Sequence, residues 1–151
     1  MTPIPDPELI RRLLTAALLG ALLGIEREIR HKSAGLRTNI LIAVGAALFT
    51  LMSLELAPHG GGIAAQIVTG IGFLGAGAIM RTDSGIQGLT TAATVWVNAA
   101  VGVAAGGGSY HLAFIATAIT VAALLVLEPV ERAIDRRFGK DGGRPPSPPS
   151  A

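Results

Sequence analysis

The chain has 151 residues, of which 50% are apolar and only 15% are charged, and its formal net charge is +2. Soluble domains carry about 25% charged residues, so this composition and a mean hydropathy of +0.57 largely exclude a soluble enzyme. The run from Ser84 to Leu127 contains no Asp, Glu, Lys or Arg, and one bilayer span needs about 20 apolar residues. These features predict an integral membrane protein.

Five apolar segments, separated by polar or glycine-rich breaks, predict an all-α integral membrane bundle of five transmembrane helices. We expect an extended Pro-rich segment at residues 1–8, a transmembrane domain at residues 9–128, and a basic, Pro-rich tail at residues 129–151 that is largely disordered. The predicted spans are Leu9–Ile25, Thr38–Leu56, Ile63–Met80, Gly88–Ala105 and Tyr110–Leu127.

Span 1 is the least apolar of the five. Its uncharged part begins only at Leu13, so Arg11 and Arg12 must extend toward the membrane surface to complete a crossing. The alternatives are an interfacial helix and a cleaved signal peptide. Asp6 and Glu8 upstream, and the lack of a small-residue cleavage site, argue against the signal peptide.

The basic residues indicate the orientation of the bundle. Of the 12 Lys and Arg residues, all except Arg11 and Arg12 lie between spans 1 and 2, between spans 3 and 4, or after span 5. The loops at residues 57–62 and 106–109 carry none. By the positive-inside rule the basic side is cytoplasmic, which places the C-terminus in the cytoplasm and, if span 1 crosses, the N-terminus outside.

Two spans carry glycines that we expect to permit close approach of neighbouring helices. The glycines of span 3 fall on two opposite faces of the helix, so we expect this span to lie at the centre of the bundle. A broken or re-entrant span 3 is the alternative. These helix-packing residues are Gly20 and Gly24 in span 1, and Gly70, Gly72, Gly75 and Gly77 in span 3.

Span 4 carries a polar stripe at a 4-3-4 spacing, formed by Gln87, Thr91, Thr94 and Asn98 and flanked by Thr90. Hydrogen bonding between helices is the favoured interpretation, and a hydrated path or a ligand site is the alternative.

Charged residues cluster at the predicted inner ends of spans 1 to 3. We expect Arg27 to need a partner or water, with Glu28 and Asp83 as the nearby candidates, and Glu26 to form an ordinary surface pair with Arg30 at i,i+4. We expect this rim to matter more for function than the deeper Thr94 and Asn98. The candidate functional residues are Glu26, Arg27, Glu28, Arg37, Arg81, Asp83, Thr90, Thr91, Thr94 and Asn98.

Other chemistry receives little support from the sequence. The chain has no cysteine, and we find no nucleophile–base pair and no metal-ligand cluster, so we expect no enzymatic activity and no cofactor; metal binding stays open. The basic residues form no patch with interleaved aromatics, which argues against a nucleic-acid partner. A GxGxxG pattern from Gly70 to Gly75 follows no strand of a βαβ unit, so it does not predict a dinucleotide site.

Four sequence motifs resemble the MgtC/SapB family over about residues 9–128. They are Gly24-Ile25-Glu26-Arg27-Glu28, Ala34-Gly35-Leu36-Arg37-Thr38, Ala64-Ala65-Gln66-Ile67 followed by the glycines of residues 70–77, and Gly88-Leu89-Thr90-Thr91-Ala92-Ala93-Thr94-Val95-Trp96.

The resemblance implies a multi-pass protein of the bacterial inner membrane, linked to growth in low magnesium and, in some pathogens, to survival inside host cells. It implies either regulation of a membrane partner such as the ATP synthase or transport of magnesium or another cation. The glycine seams are equally compatible with a homo-oligomer. Virulence-type members have a soluble domain after the last span and often Asn at the position of Thr90, which argues against a virulence role for this chain.

Overall fold

The computed structural model describes residues 4–56, 62–83 and 85–137. Within them the chain forms five helices and one short β-hairpin. The predicted outer loop at residues 57–61, Ser84, and residues 1–3 and 138–151 of the predicted terminal segments lie outside the described residues. The elements are α1 (Asp6–Ile29), α2 (Leu36–Leu56), α3 (Gly62–Gly77), β1 (Met80–Thr82), β2 (Gly85–Gln87), α4 (Leu89–Gly106) and α5 (Tyr110–Arg137).

The boundaries of the predicted spans agree best for α2 and α4. They differ most at the end of α5, and by a few residues at the ends of α1 and α3. Helix α3 ends at Gly77, before the predicted end at Met80, because the chain turns there into β1. Helix α5 continues through Pro129 to Arg137. A proline removes one backbone hydrogen bond from a helix and usually kinks or ends it, which is why Pro129 favours an end at Leu127. Because the helix continues past this proline, the predicted end was wrong.

Three of the helices are long and apolar enough to cross a membrane, judged by length and composition. The apolar part of α3, Ala65–Gly77, is shorter than a full crossing, and α1 carries charged residues near both ends. The architecture is therefore all-helical with three candidate spans, which are Leu36–Leu56, Leu89–Gly106 and Tyr110–Glu131.

The hairpin is an element that the sequence reading missed. Strands β1 and β2 pair antiparallel, with Arg81 opposite Ile86, and all their described side chains are exposed. Gly88 then turns the chain into α4 with φ of 89°, where an added Cβ would strike the carbonyl group of Ala78. Gln87 therefore lies in β2 and not on α4, so its assignment to the polar stripe was wrong.

Helices α1, α2 and α4 form the tightly packed part of the fold. Gly20 and Gly24 lie against α2, where a Cβ on Gly20 would come within 2.7 Å of the Asn39 carbonyl oxygen. A Cβ on Gly24 would come within 2.7 Å of the Leu36 Cα. Because real Cβ contacts are longer than this, only glycine permits this distance between the two helices, as the sequence predicts.

A second glycine seam joins α4 to α2, and Ala43 of α2 is contacted by both seams. An added Cβ on Gly106 would lie 2.6 Å from the Ala47 carbonyl oxygen, and one on Gly102 would lie 2.9 Å from the Ala46 Cβ. The small residues of α2 are thus contacted from two directions. The signal in the sequence is a Gly-x-x-x-Gly pair at residues 102–106, which the sequence analysis does not include among the helix-packing residues.

Helix α3 lies on the outside of this core, packed against α4 and α2. Positions Gly70, Gly72 and Gly77 are open, with no atom within 4 Å of an added Cβ. Gly75 alone of the four meets a neighbour, at 3.8 Å from the Ala92 Cβ. The predicted central position of span 3 is therefore wrong: two faces of small residues permit close packing but do not require it.

Candidate functional site

Charged and hydroxyl side chains meet where the C-terminal end of α1 approaches the N-terminal end of α4. Arg27 is only 3% exposed and donates a hydrogen bond to the Thr91 hydroxyl. Ser33, in the turn after α1, donates to the same hydroxyl over 3.3 Å. The predicted partner of Arg27, a carboxylate of Glu28 or Asp83, was wrong, and the neutral hydroxyl of Thr91 takes that place.

Glu28 has a different role. Its Oε2 accepts the backbone N–H of Leu36, the first residue of α2, over 3.0 Å. A carboxylate at a helix N-terminus satisfies an otherwise unbonded N–H and opposes the positive end of the helix dipole. Glu28 therefore fixes the turn between α1 and α2, and among the described residues no ion pair joins it to Arg27.

A second charged group joins α1 to α5. Arg30 Nε lies 2.9 Å from Glu26 Oε1, the predicted i,i+4 pair, and the same guanidinium contacts Glu128 of α5. The interpretation as a surface pair was wrong, because Glu26 is only 8% exposed. Glu26 Oε2 and Arg27 Nε are both buried and have no hydrogen-bond partner among the described residues.

Residues of both polar groups, the one around Arg27 and the one around Glu26, line one cleft of about 710 Å³ between α1, α4, α5 and the hairpin. Its size is within the range of ligand sites, about 300–1,000 Å³. The polar lining consists of Glu26, Arg27, Lys32, Thr90, Thr91, Glu128 and Glu131, and the apolar lining includes Ile86, Leu89, Ala93, Ala123, Leu124 and Leu127.

The deeper polar residues of α4 are bonded within the protein. Asn98 is fully buried and donates to Asn39 of α2, over 2.7 Å to the carbonyl oxygen and 3.0 Å to Oδ1. Thr94 donates to the Thr90 carbonyl oxygen of its own helix over 2.8 Å. The structure thus supports hydrogen bonding between helices as the role of the stripe.

The sequence reading missed Asn39, which is fully buried at this crossing and also donates to the Gly35 carbonyl oxygen over 3.0 Å. An amide near the start of an apolar span is the signal that could have found it, because a polar group in a bilayer needs a partner.

The remaining predicted rim residues are not gathered into the cleft. Arg37 lies in the first turn of α2, Arg81 lies in β1 and Asp83 follows it, and all three are exposed. In the described part of the chain, no hydrogen bond or ion pair joins them to Arg27 or Glu26. Across the described ranges, no group of three or more His, Asp and Glu side chains could hold a metal ion.

The opposite end of the bundle has its own polar cluster around Glu8. Arg12 Nε and the Tyr110 hydroxyl both bond Glu8 Oε1, over 2.8 and 2.7 Å. Arg12 also donates to the carbonyl oxygen of Gly106, the last residue of α4, over 2.9 Å. The hydrogen bond from Arg12, followed by that from Tyr110, holds the pKa of Glu8 below its usual value.

Fold and site together define a class: an all-helical membrane protein with a close-packed core of three helices and a polar cleft at one end. The MgtC family model matches residues 13–133, and the chain therefore belongs to the MgtC family.

Similar proteins include Protein MgtC of Salmonella typhimurium (strain LT2), which is 51% identical over 128 residues, covering 84% of this chain and 55% of that protein. Protein MgtC of Brucella abortus (strain 2308) is 45% identical over 139 residues, covering 89% of this chain and 58% of that protein. The chain thus spans just over half the length of these relatives. No solved structure matches it.

Proposed function

We propose that this chain is a multi-pass protein of the bacterial inner membrane that acts in magnesium and membrane-energy homeostasis by regulating a membrane partner. Membership of the MgtC family supports the link to magnesium. By the resemblance, the ATP synthase is the first partner to test. We also propose that the chain has no enzymatic activity of its own.

The observation that carries the regulatory proposal is that the deep polar side chains form hydrogen bonds within the protein. Asn98 bonds Asn39 and Thr94 bonds its own helix, while Arg27 bonds Thr91. An ion pathway needs polar groups that face a hydrated route. Thr91 and Asn98 instead join α4 to α1 and α2, and Thr94 bonds within α4, which supports regulation more than conduction.

The proposed topology has five crossings with the C-terminus in the cytoplasm and the N-terminus outside. It rests on the distribution of the basic residues between the two sets of loops, and it requires α1 and α3 to cross although neither qualifies by length and composition. Cysteines placed at Gly107 and Ser33 in this cysteine-free chain test it in intact cells. An impermeant thiol reagent should label Gly107→Cys and leave Ser33→Cys protected, and the reverse pattern contradicts the orientation.

The open face of α3 supports a contact with a partner or with a second copy of the chain. Gly70, Gly72 and Gly77 lie on this helix with no neighbour within 4 Å of an added Cβ. Small residues in a membrane helix allow another helix to approach closely.

The second candidate function is transport of magnesium or another cation. It is favoured by the cleft, where Glu26 Oε2 is buried without a partner among the described residues.

Flux of Mg²⁺ and other cations into proteoliposomes of purified protein separates the two functions. The regulatory proposal expects no flux above that of empty liposomes, together with complementation of growth in low magnesium. It also expects Arg37→Ala and Asp83→Ala to abolish that complementation at normal protein levels, because exposed charges recognise partners. Cation flux that Glu26→Gln removes would instead establish the transporter.

A further inference from the structure

The cleft has a basic wall. Arg27 lines it with a buried Nε that has no hydrogen-bond partner among the described residues, and Lys32 adds a second, exposed cation. Helix α4 also begins here, after Gly88, which provides no side-chain cap. The first N–H groups of a helix have no partner within it, and they carry the positive end of its dipole. Together these groups give the lining positive charge and free N–H donors, the features that bind a phosphate.

The same lining also contains carboxylates. Helix α5 contributes Glu128 and Glu131, and Glu26, next to Arg27 on α1, adds its buried Oε2. Arg30 pairs with both Glu26 and Glu128, so the charges of this region balance: three carboxylates accompany the cations of Arg27, Lys32 and Arg30. A balanced site favours a ligand that carries both charges over a simple anion or a simple cation.

The apolar part of the lining can hold the uncharged part of a ligand whose charged part binds these residues. Ala123, Leu124 and Leu127 belong to the candidate span Tyr110–Glu131. Ala93 of α4 faces the same cleft. Apolar residues of two membrane helices therefore continue from the charged groups toward the bilayer, and an acyl chain can occupy that surface.

We propose that this cleft binds the headgroup of phosphatidylethanolamine, a zwitterionic phospholipid. The phosphate lies against Arg27, Lys32 and the start of α4, and the primary ammonium lies against Glu131 and Glu128. The ammonium donates up to three hydrogen bonds, which a trimethylated choline group cannot do. The site therefore distinguishes phosphatidylethanolamine from phosphatidylcholine. This inference goes beyond the proposed regulatory function, since it requires neither a protein partner nor ion movement.

The test measures lipid binding by the full chain in detergent, by native mass spectrometry and by the shift in thermal unfolding. The probes are phosphatidylethanolamine, phosphatidylcholine and phosphatidylglycerol with identical acyl chains, and inorganic phosphate. We expect phosphatidylethanolamine to bind about tenfold more tightly than phosphatidylcholine, the effect of one charge-assisted hydrogen bond. Phosphatidylglycerol should bind more weakly than phosphatidylethanolamine, and phosphate alone should give no comparable shift.

Two exposed residues of the cleft allow the test without disturbing the fold. Glu131→Gln should abolish the preference for phosphatidylethanolamine over phosphatidylcholine. Lys32→Gln should weaken binding of phosphatidylethanolamine and phosphatidylglycerol alike. The matched controls are Glu55→Gln, at the far end of α2, and Arg37→Gln, at the near end but outside the cleft lining; both should bind the three lipids with the affinities of the unaltered chain.

Four results would overturn the proposal. The first is equal affinity for phosphatidylethanolamine and phosphatidylcholine, and the second is tighter binding of phosphatidylglycerol, which would indicate an anion site. The third is a preference that survives both Glu131→Gln and Lys32→Gln. The fourth is a phosphate-induced shift as large as that of the lipid. None of these outcomes depends on the flux or complementation results, so the lipid site and the proposed function fail separately.

Discussion

The chain contains two glycine-rich regions that are alike in composition and opposite in packing. The glycines of α1 and α4 lie against the backbone of α2, where Gly20 and Gly106 leave no room for a methyl group. Those of α3 are largely open, and Phe73 beside them is 82% exposed. A small residue permits a close approach, but the neighbouring helix must also present a small surface, as α2 does with Ala43, Ala46 and Ala47.

Replacing one glycine by alanine in each of the two regions tests this difference most directly. Gly20→Ala should destabilise the protein by about 1–3 kcal/mol, because the new methyl group would lie 2.7 Å from the Asn39 carbonyl oxygen. Gly72→Ala should cost nothing and, by its better helix propensity, stabilise by up to about 1 kcal/mol. Unfolding in a denaturing detergent series measures both, and equal losses would contradict the distinction.

The buried amide pair should have the next largest effect on stability. Asn98→Leu removes two hydrogen bonds to Asn39 and should cost about 1–2 kcal/mol. Thr94→Val removes only a bond to its own helix and should cost less. A double-mutant cycle of Asn98→Leu with Asn39→Leu isolates the bond to Asn39 Oδ1, because the bond to the Asn39 carbonyl oxygen does not need the Asn39 side chain: additive losses would show that the two side-chain amides do not interact.

The cluster at the other end of the bundle should respond to acid. The pKa of Glu8 is lowered in the folded protein, so its stabilising contribution is present above the unfolded pKa of about 4.3 and is lost as the pH falls through the lower folded value. The unaltered chain should therefore lose more thermal stability than Glu8→Gln when the pH falls below about 4. Identical pH profiles would show that the bonds to Arg12 and Tyr110 add nothing.

The exposed rim charges should have the smallest effect on folding. Arg37→Ala and Asp83→Ala should change the free energy of unfolding by less than about 0.5 kcal/mol, because both side chains are exposed. Thermal unfolding of both variants, with Arg27→Gln as the buried comparison, measures this. A loss as large as that of Arg27→Gln would mean that the rim residues are part of the packed core.

The helices and the close contact of Gly20 and Gly24 with α2 could be predicted from the sequence. The partners of the charged groups could not. Hydropathy located α2 and α4 within two residues at each end, and helical periodicity placed Thr91, Thr94 and Asn98 on one buried face. The partner of Arg27 depends on which helix lies beside α1 and on Glu28 bonding the start of α2. Neither fact is local, so no spacing within one helix could reveal it.

The hairpin and the outer position of α3 were not predicted, for related reasons. Strands β1 and β2 have three residues each, too few for a periodic signal, and they shorten α3 by replacing its predicted last turn. The glycines of α3 have the same spacing whether or not a helix faces them.

One cross-linking measurement tests the central claim, that α3 lies outside the core and meets α4 only on the Gly75 side. The Gly75 position, with an added Cβ, is 3.8 Å from the Ala92 Cβ, within the 3.5–4.5 Å that a disulfide needs. In this cysteine-free chain, Gly75→Cys with Ala92→Cys should form a disulfide in membranes on mild oxidation, detected as loss of maleimide labelling. Gly72→Cys with Ala92→Cys should remain reduced. Efficient cross-linking of the Gly72 pair, or failure of the Gly75 pair in folded protein, would contradict this packing.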